Sequence, residues 1–308
     1  MNKSKSRTKW ASLIVIIFII LAEITLRVFF GFCDAPLYVS DKDYEYIAAP
    51  NQTGKRFGNN YHFNSFSQRN NEPNAKKTKI LGLGDSVLFG GVQSDQDSIA
   101  TSIFNHTLTN YQMLNISSGS WGPDNCAAYL AEYGSFNAKA MFLVVSSHDA
   151  YDVMDFQPVV GNHTSYPEKQ YKLAWWELLD RYVSPRLKHI FSKKTKLDPD
   201  EVAAQGIQKK GLKFNPGFNE LKKLSDSLNI PLTVYLHAEK TELKNNNYNI
   251  QGNEIIEWAT KNNVSLIKEL DYNFNDLDYR DVIHLNDSGQ RKLAKIMIDF
   301  FEVKLSKK

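Results

Sequence analysis

The 308-residue chain is 42% hydrophobic, 23% charged and 12% aromatic, which excludes a disordered or low-complexity scaffold and leaves room for a large α/β domain. Its 37 Lys and Arg against 34 Asp and Glu give +3, but residues 1–27 hold five basic and one acidic, leaving 32 against 33. A body so balanced lacks the charge footprint of a nucleic-acid binder. Two cysteines, Cys33 and Cys126, exclude a disulfide framework, and no Cys/His spacing points to zinc. Neither a metal nor a cofactor is expected.

At the N-terminus, Lys3, Lys5, Arg7 and Lys9 form a basic tail over residues 1–9. Residues 10–32 are apolar apart from Glu23 and Arg27, and at ~1.5 Å per residue they span ~35 Å, enough to cross a bilayer. Asp34, Asp41 and Asp43 follow, so the positive-inside tendency puts the tail in the cytoplasm and the rest outside the inner membrane. A cleavable signal peptide is the rival, because the uncharged core Trp10–Ala22 is short; Ile20-Leu21-Ala22 is a poor cleavage site. Glu23 and Arg27, four apart, share a helix face; self-pairing with Arg27 snorkelling outward is expected, and a partner helix is the alternative.

Residues 33–75 are polar, contain Pro36, Pro50 and Pro73, and are expected to form a stalk leading into the domain, partly ordered against it. A domain over 76–303 follows, with a solvated tail at 304–308. Short apolar runs predict strands at 78–83, 111–116, 141–146, 231–237 and 264–267. Helical patterns lie near 95–110, 125–133, 171–191, 217–229, 252–262 and 287–303. Alternating strands and helices predict a three-layer α/β/α domain with a mostly parallel, flavodoxin-like sheet. The loops after Leu83, Ile116, Ser146 and His237 should then share the rim where such sheets bind ligands. Residues 152–215 exceed an ordinary crossover and read as an elaboration, with Trp175 and Trp176 expected to pack. His237 reads as a loop histidine.

The first strand ends in Gly84-Asp85-Ser86, which sets a serine and its backbone N–H on a strand-to-helix turn. Such a residue can supply a nucleophile and an oxyanion donor together. No dinucleotide fingerprint, phosphate-binding Gly-x-x-x-x-Gly-Lys or Gly-x-Ser-x-Gly elbow competes for these glycines. A serine needs a base, and imidazole needs a carboxylate to fix its tautomer. Asp281 and His284, three apart just before the last helix, can form that pair locally. Each motif alone is common; together they are specific.

The combination resembles the SGNH (GDSL-type) hydrolases, a family of esterases and carbohydrate O-acetyl enzymes. More narrowly, it is similar to a bacterial branch with one N-terminal anchor ending in Glu-x-x-x-Arg, here Glu23–Arg27, and an Asn-Ser-x-x-x-Arg stretch, here Asn64–Arg69. The resemblance implies Ser86 as nucleophile, His284 as general base and Asp281 as its orienter. It implies an oxyanion hole from the N–H of Ser86, a backbone N–H at Gly119 or Ser120, and a side chain at position 148. There the family pattern Gly-x-Asn-Asp reads Ser146-Ser147-His148-Asp149, so a histidine replaces the usual asparagine donor. The implied activity is hydrolysis of small acyl esters, O-acetylated carbohydrate of the envelope or exported polysaccharide being the expected substrate. Acetyl transfer onto a polysaccharide through the same acyl-serine, and a non-catalytic glycan-binding or assembly subunit, are the alternatives.

Overall fold

The computed structural model describes residues 3–191, 207, 209 and 211–305. A long helix, α1 (Lys3–Phe30), leads; its stretch Lys9–Phe30 has a mean hydropathy of 2.7 and buries none of its residues. Among the described residues, one apolar helix is therefore long enough to cross a membrane.

Residues 33–75 are ordered against the domain more fully than a stalk would be. They fold into two antiparallel hairpins, β1 (Tyr38–Asp41) with β2 (Glu45–Ala48) and β3 (Gln52–Arg56) with β4 (Asn59–Phe63). The second turns through Phe57 and Gly58, both at positive φ, as a two-residue loop of the twist-matching kind requires. Tyr38, Tyr44, Tyr46, Tyr61 and Phe63 are buried in the main core. The expected boundary at residue 76 thus disappears into continuous packing.

The sheet begins at β5 (Thr78–Gly84), followed by the one-turn α2 (Ser86–Phe89), α3 (Ala100–Thr107), β6 (Tyr111–Ser117), α4 (Pro123–Tyr133) and β7 (Met141–Ser146). An elaboration then carries α5 (Ala174–Leu178) and α6 (Ser184–Phe191), joined through a π-turn over Leu179–Val183. The chain continues with α7 (Gly217–Leu228), β8 (Leu232–His237), α8 (Lys240–Asn245), α9 (Ile250–Lys261), β9 (Ser265–Lys268) and α10 (Asp287–Leu305). Residues 192–206, 208 and 210 of the elaboration, and 306–308 of the expected tail, lie outside the described residues. The five strands pair in parallel in the order β6-β5-β7-β8-β9.

Alternation along each strand divides the core into two layers. Leu81, Leu83, Leu114, Ile116, Leu143, Val145, Val234 and Leu236 face one side, under the hairpins and residues of α4, α7 and α9. Ile80, Met113, Phe142, Val144 and Tyr235 face the other, under α3 and α10. This is the expected three-layer α/β/α architecture. The register sets Gly84 beside both Ser117 and Val144, and Ser146 beside His237, so the loops leaving these strands emerge along one edge.

Candidate active site

Ser86 stands where β5 gives way to α2. A Cβ at Gly84 would lie 3.0 Å from both the Val144 carbonyl oxygen and Leu88 Cβ, so the strand's last residue has almost no room for a side chain. Asp85 is extended and caps α2, its Oδ1 accepting from the Val87 N–H at 2.8 Å. Gly90, at φ +76°, closes the turn in the left-handed region. Ser86, the first helical residue, has no intrahelical acceptor for its N–H, and in residues 80–90 it is the one not buried.

The facing loop is closed on itself. Tyr279 and Leu285 form an antiparallel bridge, and the Arg280 N–H donates to the His284 carbonyl at 2.9 Å. His284 Nε2 comes to 2.9 Å from Ser86 Oγ, and Nδ1 to 2.8 Å from Asp281 Oδ2. Asp281 Oδ1 also accepts from the backbone N–H groups of His284 and Ile283, at 2.7 and 3.0 Å. Burial alone would raise the Asp281 pKa, but these hydrogen bonds and the His284 ring outweigh it and hold the carboxyl well below the usual range. An ionised carboxylate at Nδ1 keeps the proton there and leaves the Nε2 lone pair toward the serine. Arg280 Nη1 donates to the Gly90 carbonyl at 2.9 Å, tying this loop to the end of α2. Two segments distant in sequence, Ser86 and the loop of Asp281 and His284, are therefore joined by one continuous chain of hydrogen bonds.

On the neighbouring loop, the N–H groups of Gly119 and Ser120 both lack a partner among the described residues, so either can donate. Ser120 lies at φ +56°, and its hydroxyl is engaged by Tyr166 and the Ile207 N–H. The Gly119 carbonyl accepts from Tyr46 OH at 3.0 Å, which anchors the loop to the first hairpin.

His148 follows β7. Its Nδ1 is 3.2 Å from Glu239 Oε1, while Nε2 is 3.8 Å from Asp149 Oδ1, beyond hydrogen-bond reach. Burial lowers the ring's pKa, but Asp149, Glu239 and Asp85 together overcome it and raise it to about 10. At neutral pH the ring is a partly exposed imidazolium with one N–H held and the other open. Asp85, His148 and Asp149 offer atoms within 4.8 Å of one another, as a cation site would.

Solved structures similar to this chain include G-D-S-L lipolytic proteins and esterases. A lipolytic protein of that family from Desulfitobacterium hafniense is 12% identical with a TM-score of 0.41, covering 72% of this chain and 99% of its own. Esterase EstA from Pseudoalteromonas sp. is 13% identical at 0.41, covering 75% and 100%. A GDSL-like lipase from Bacteroides ovatus is 17% identical at 0.44, covering 77% of this chain and 56% of its own. No family model matches the chain, and no curated protein matches it.

The structure also gives work to residues that sequence reasoning passed over. His237 is not a loop histidine: it is fully buried, with Nδ1 2.6 Å from Glu269 Oε2 and Nε2 2.7 Å from the Ile283 carbonyl. Both nitrogens must donate, so the ring is an imidazolium; burial opposes this, but Glu269 and the Ile283 carbonyl raise its pKa to about 9. Tyr235 and Tyr279 donate to the same Glu269 carboxylate. This strut supports the residue just before His284. Glu242 similarly braces the His148 turn, accepting from Ser147 Oγ at 2.6 Å. The signal for His237 was its place at the end of a continuous apolar run, where a polar side chain points into protein. Arg69, from the Asn64–Arg69 stretch, is buried and donates to the carbonyls of Phe89, Gly91 and Ser94. It props the end of α2 and the segment that follows.

Proposed function

We propose that this chain is a membrane-anchored, extracytoplasmic serine esterase that removes small acyl groups, O-acetyl above all, from carbohydrate. One observation carries the reading: the unbroken Ser86–His284–Asp281 relay, with gaps of 2.9 and 2.8 Å. Ser86 Oγ attacks the ester carbonyl while its proton passes to His284 Nε2, and Asp281 stabilises the imidazolium that forms. The developing oxyanion is met by the N–H of Ser86, a backbone N–H of Gly119 or Ser120, and the open Nε2–H of His148. His284 then returns the proton to the departing sugar oxygen, leaving an acyl-serine. Water, deprotonated by the same ring, attacks that ester and releases the acid and free Ser86.

The anchor half of the reading draws on α1 and its bonds to the domain. Arg56 Nη1 donates to the Gly31 carbonyl at 2.7 Å, and the Phe57 N–H to Phe30 at 3.0 Å. Trp175 Nε1 also donates to the Ile19 carbonyl at 3.1 Å, on the leader side of Ile20-Leu21-Ala22, and that bond favours an uncleaved helix over a discarded leader. The basic residues preceding the span support a cytoplasmic N-terminus. Carbohydrate is proposed from that location and from the family resemblance.

The test is hydrolysis of p-nitrophenyl acetate and of an O-acetylated glycan by the full chain in detergent. The unaltered protein should turn over both, and Ser86→Ala neither. A fluorophosphonate should label Ser86 in the first protein and nothing in the second. Equal rates for the two would remove the serine mechanism.

A further inference from the structure

Glu23 and Arg27 pair at 2.8 Å, as their spacing predicts, but the pair is not alone. Glu23 Oε1 accepts from the Ala174 N–H at 2.9 Å and Oε2 from the Trp175 N–H at 3.2 Å, so a residue of α1 fills the N-cap role for α5. Arg27 Nη2 donates to the Lys172 carbonyl at 2.7 Å. Trp175 Nε1 donates to the Ile19 carbonyl at 3.1 Å. The partner helix sought for this ion pair is thus the protein's own.

The depth of this joint matters. At 1.5 Å per residue, Glu23 lies ~10 Å and Ile19 ~16 Å before the end of α1 at Phe30. Both fall inside the apolar stretch Lys9–Phe30. Segment 172–175 must therefore sit at the level of the outer half of that stretch. From there to residue 187 four large apolar side chains are exposed, Leu173, Trp176, Leu179 and Leu187 at 59, 61, 45 and 48%, while the exposed Asp180 carboxylate is hydrogen-bonded by Tyr171 OH. Trp176 does not pack into the domain as expected from sequence. Exposed Lys172 precedes Leu173 and exposed Arg186 precedes Leu187, cations that can snorkel to headgroup phosphates. The same helix is locked to the second hairpin by Arg56 and Glu177, both buried, at 2.6 Å.

We propose that residues 173–187 lie in the outer leaflet of the membrane that α1 crosses, with Leu173, Trp176, Leu179 and Leu187 among the lipid acyl chains. The occupant of this face is lipid, because the face continues the apolar surface of α1 and is bonded to it below the span's outer end. The domain is then held against the bilayer in one pose, with its substrate reached at the membrane surface. This inference rests on α1 being a membrane span.

The test uses the full chain in phosphatidylcholine nanodiscs, with and without acyl-chain-brominated lipid, and reads tryptophan fluorescence. Subtracting Trp176→Phe isolates Trp176, and subtracting Trp10→Phe isolates the start of the span. Ile250→Trp, at a position 80% exposed on the domain, supplies a control in water. Trp176 should lose most of its intensity in brominated lipid and resist aqueous iodide, with the control behaving oppositely. If brominated lipid quenches Trp10 but iodide quenches Trp176, α1 spans and the proposal is overturned. If neither Trp10 nor Trp176 responds to brominated lipid, the span itself fails and the proposal with it.

Discussion

The Asp281 carboxylate is bonded to the His284 ring and to two backbone N–H groups, so it cannot turn away without losing all of them. Asp281→Asn keeps the shape but no longer fixes the Nδ1–H tautomer. The expected result is a fall in kcat of roughly 10⁴ with KM little changed, read from p-nitrophenyl acetate kinetics. A loss below tenfold would take the carboxylate out of the relay. His148 invites a different measurement. Its charge persists to about pH 10, so this ring gives turnover no rise toward acid, and on the alkaline side turnover should fall as the ring deprotonates. Glu239→Gln removes one of the carboxylates that raise this pKa. The alkaline limb of kcat/KM should then move toward neutral pH. His148→Gln should lower kcat by ~10² at neutral pH and erase the limb. An unchanged profile in both variants would make the ring a bystander.

Arg69 shows how one buried cation can shape an element. Its carbonyl partners are Phe89, at the end of α2, and Gly91 and Ser94 in the irregular segment beyond it, where the guanidinium replaces the hydrogen bonds that a helix would provide. Arg69→Met should cost at least ~2 kcal/mol by leaving these acceptors unpaired, with Arg69→Lys losing less. Thermal unfolding of the detergent-solubilised chain would show this as an ordered drop in apparent Tm; equal values for all three proteins would refute it. The two hairpins were partly legible. Tyr44-x-Tyr46 and Tyr61-x-Phe63 carry the two-residue alternation of half-buried strands, and Phe57-Gly58 sits at a tight turn. Prolines and charges around them outweighed that signal, because a hairpin four or five residues long buries apolar surface only against a partner that sequence does not show. The central strands needed no such partner to be read: buried on both faces, they are continuous apolar runs.

At the scale of the whole molecule, the site arises because parallel strands deliver their loops to one edge, and the sequence carried that much. Ser86, Asp281 and His284 were legible as residue types with a known division of labour. The His237–Glu269 strut was not, since the two residues are 32 positions apart and neither stands in a recognisable motif. Its effect on stability has a definite sign. The folded pKa of His237, about 9, exceeds the unfolded value of about 6.5. The added stability is therefore fully present below about pH 6.5 and is lost as pH rises through about 9, on the order of 3 kcal/mol in all. His148 also loses a stabilising proton on the way to about pH 10, so the wild-type slope alone does not isolate the strut. The difference from His237→Gln does. The variant should have the lower apparent Tm near pH 6.5, and the gap should close by about pH 9 as the wild-type ring releases its proton. Because His237 Nε2 holds the Ile283 carbonyl, the variant should also react more slowly with fluorophosphonate, through a looser His284. A gap in Tm that stays constant across this range would mean the pair is held by packing, with no proton involved.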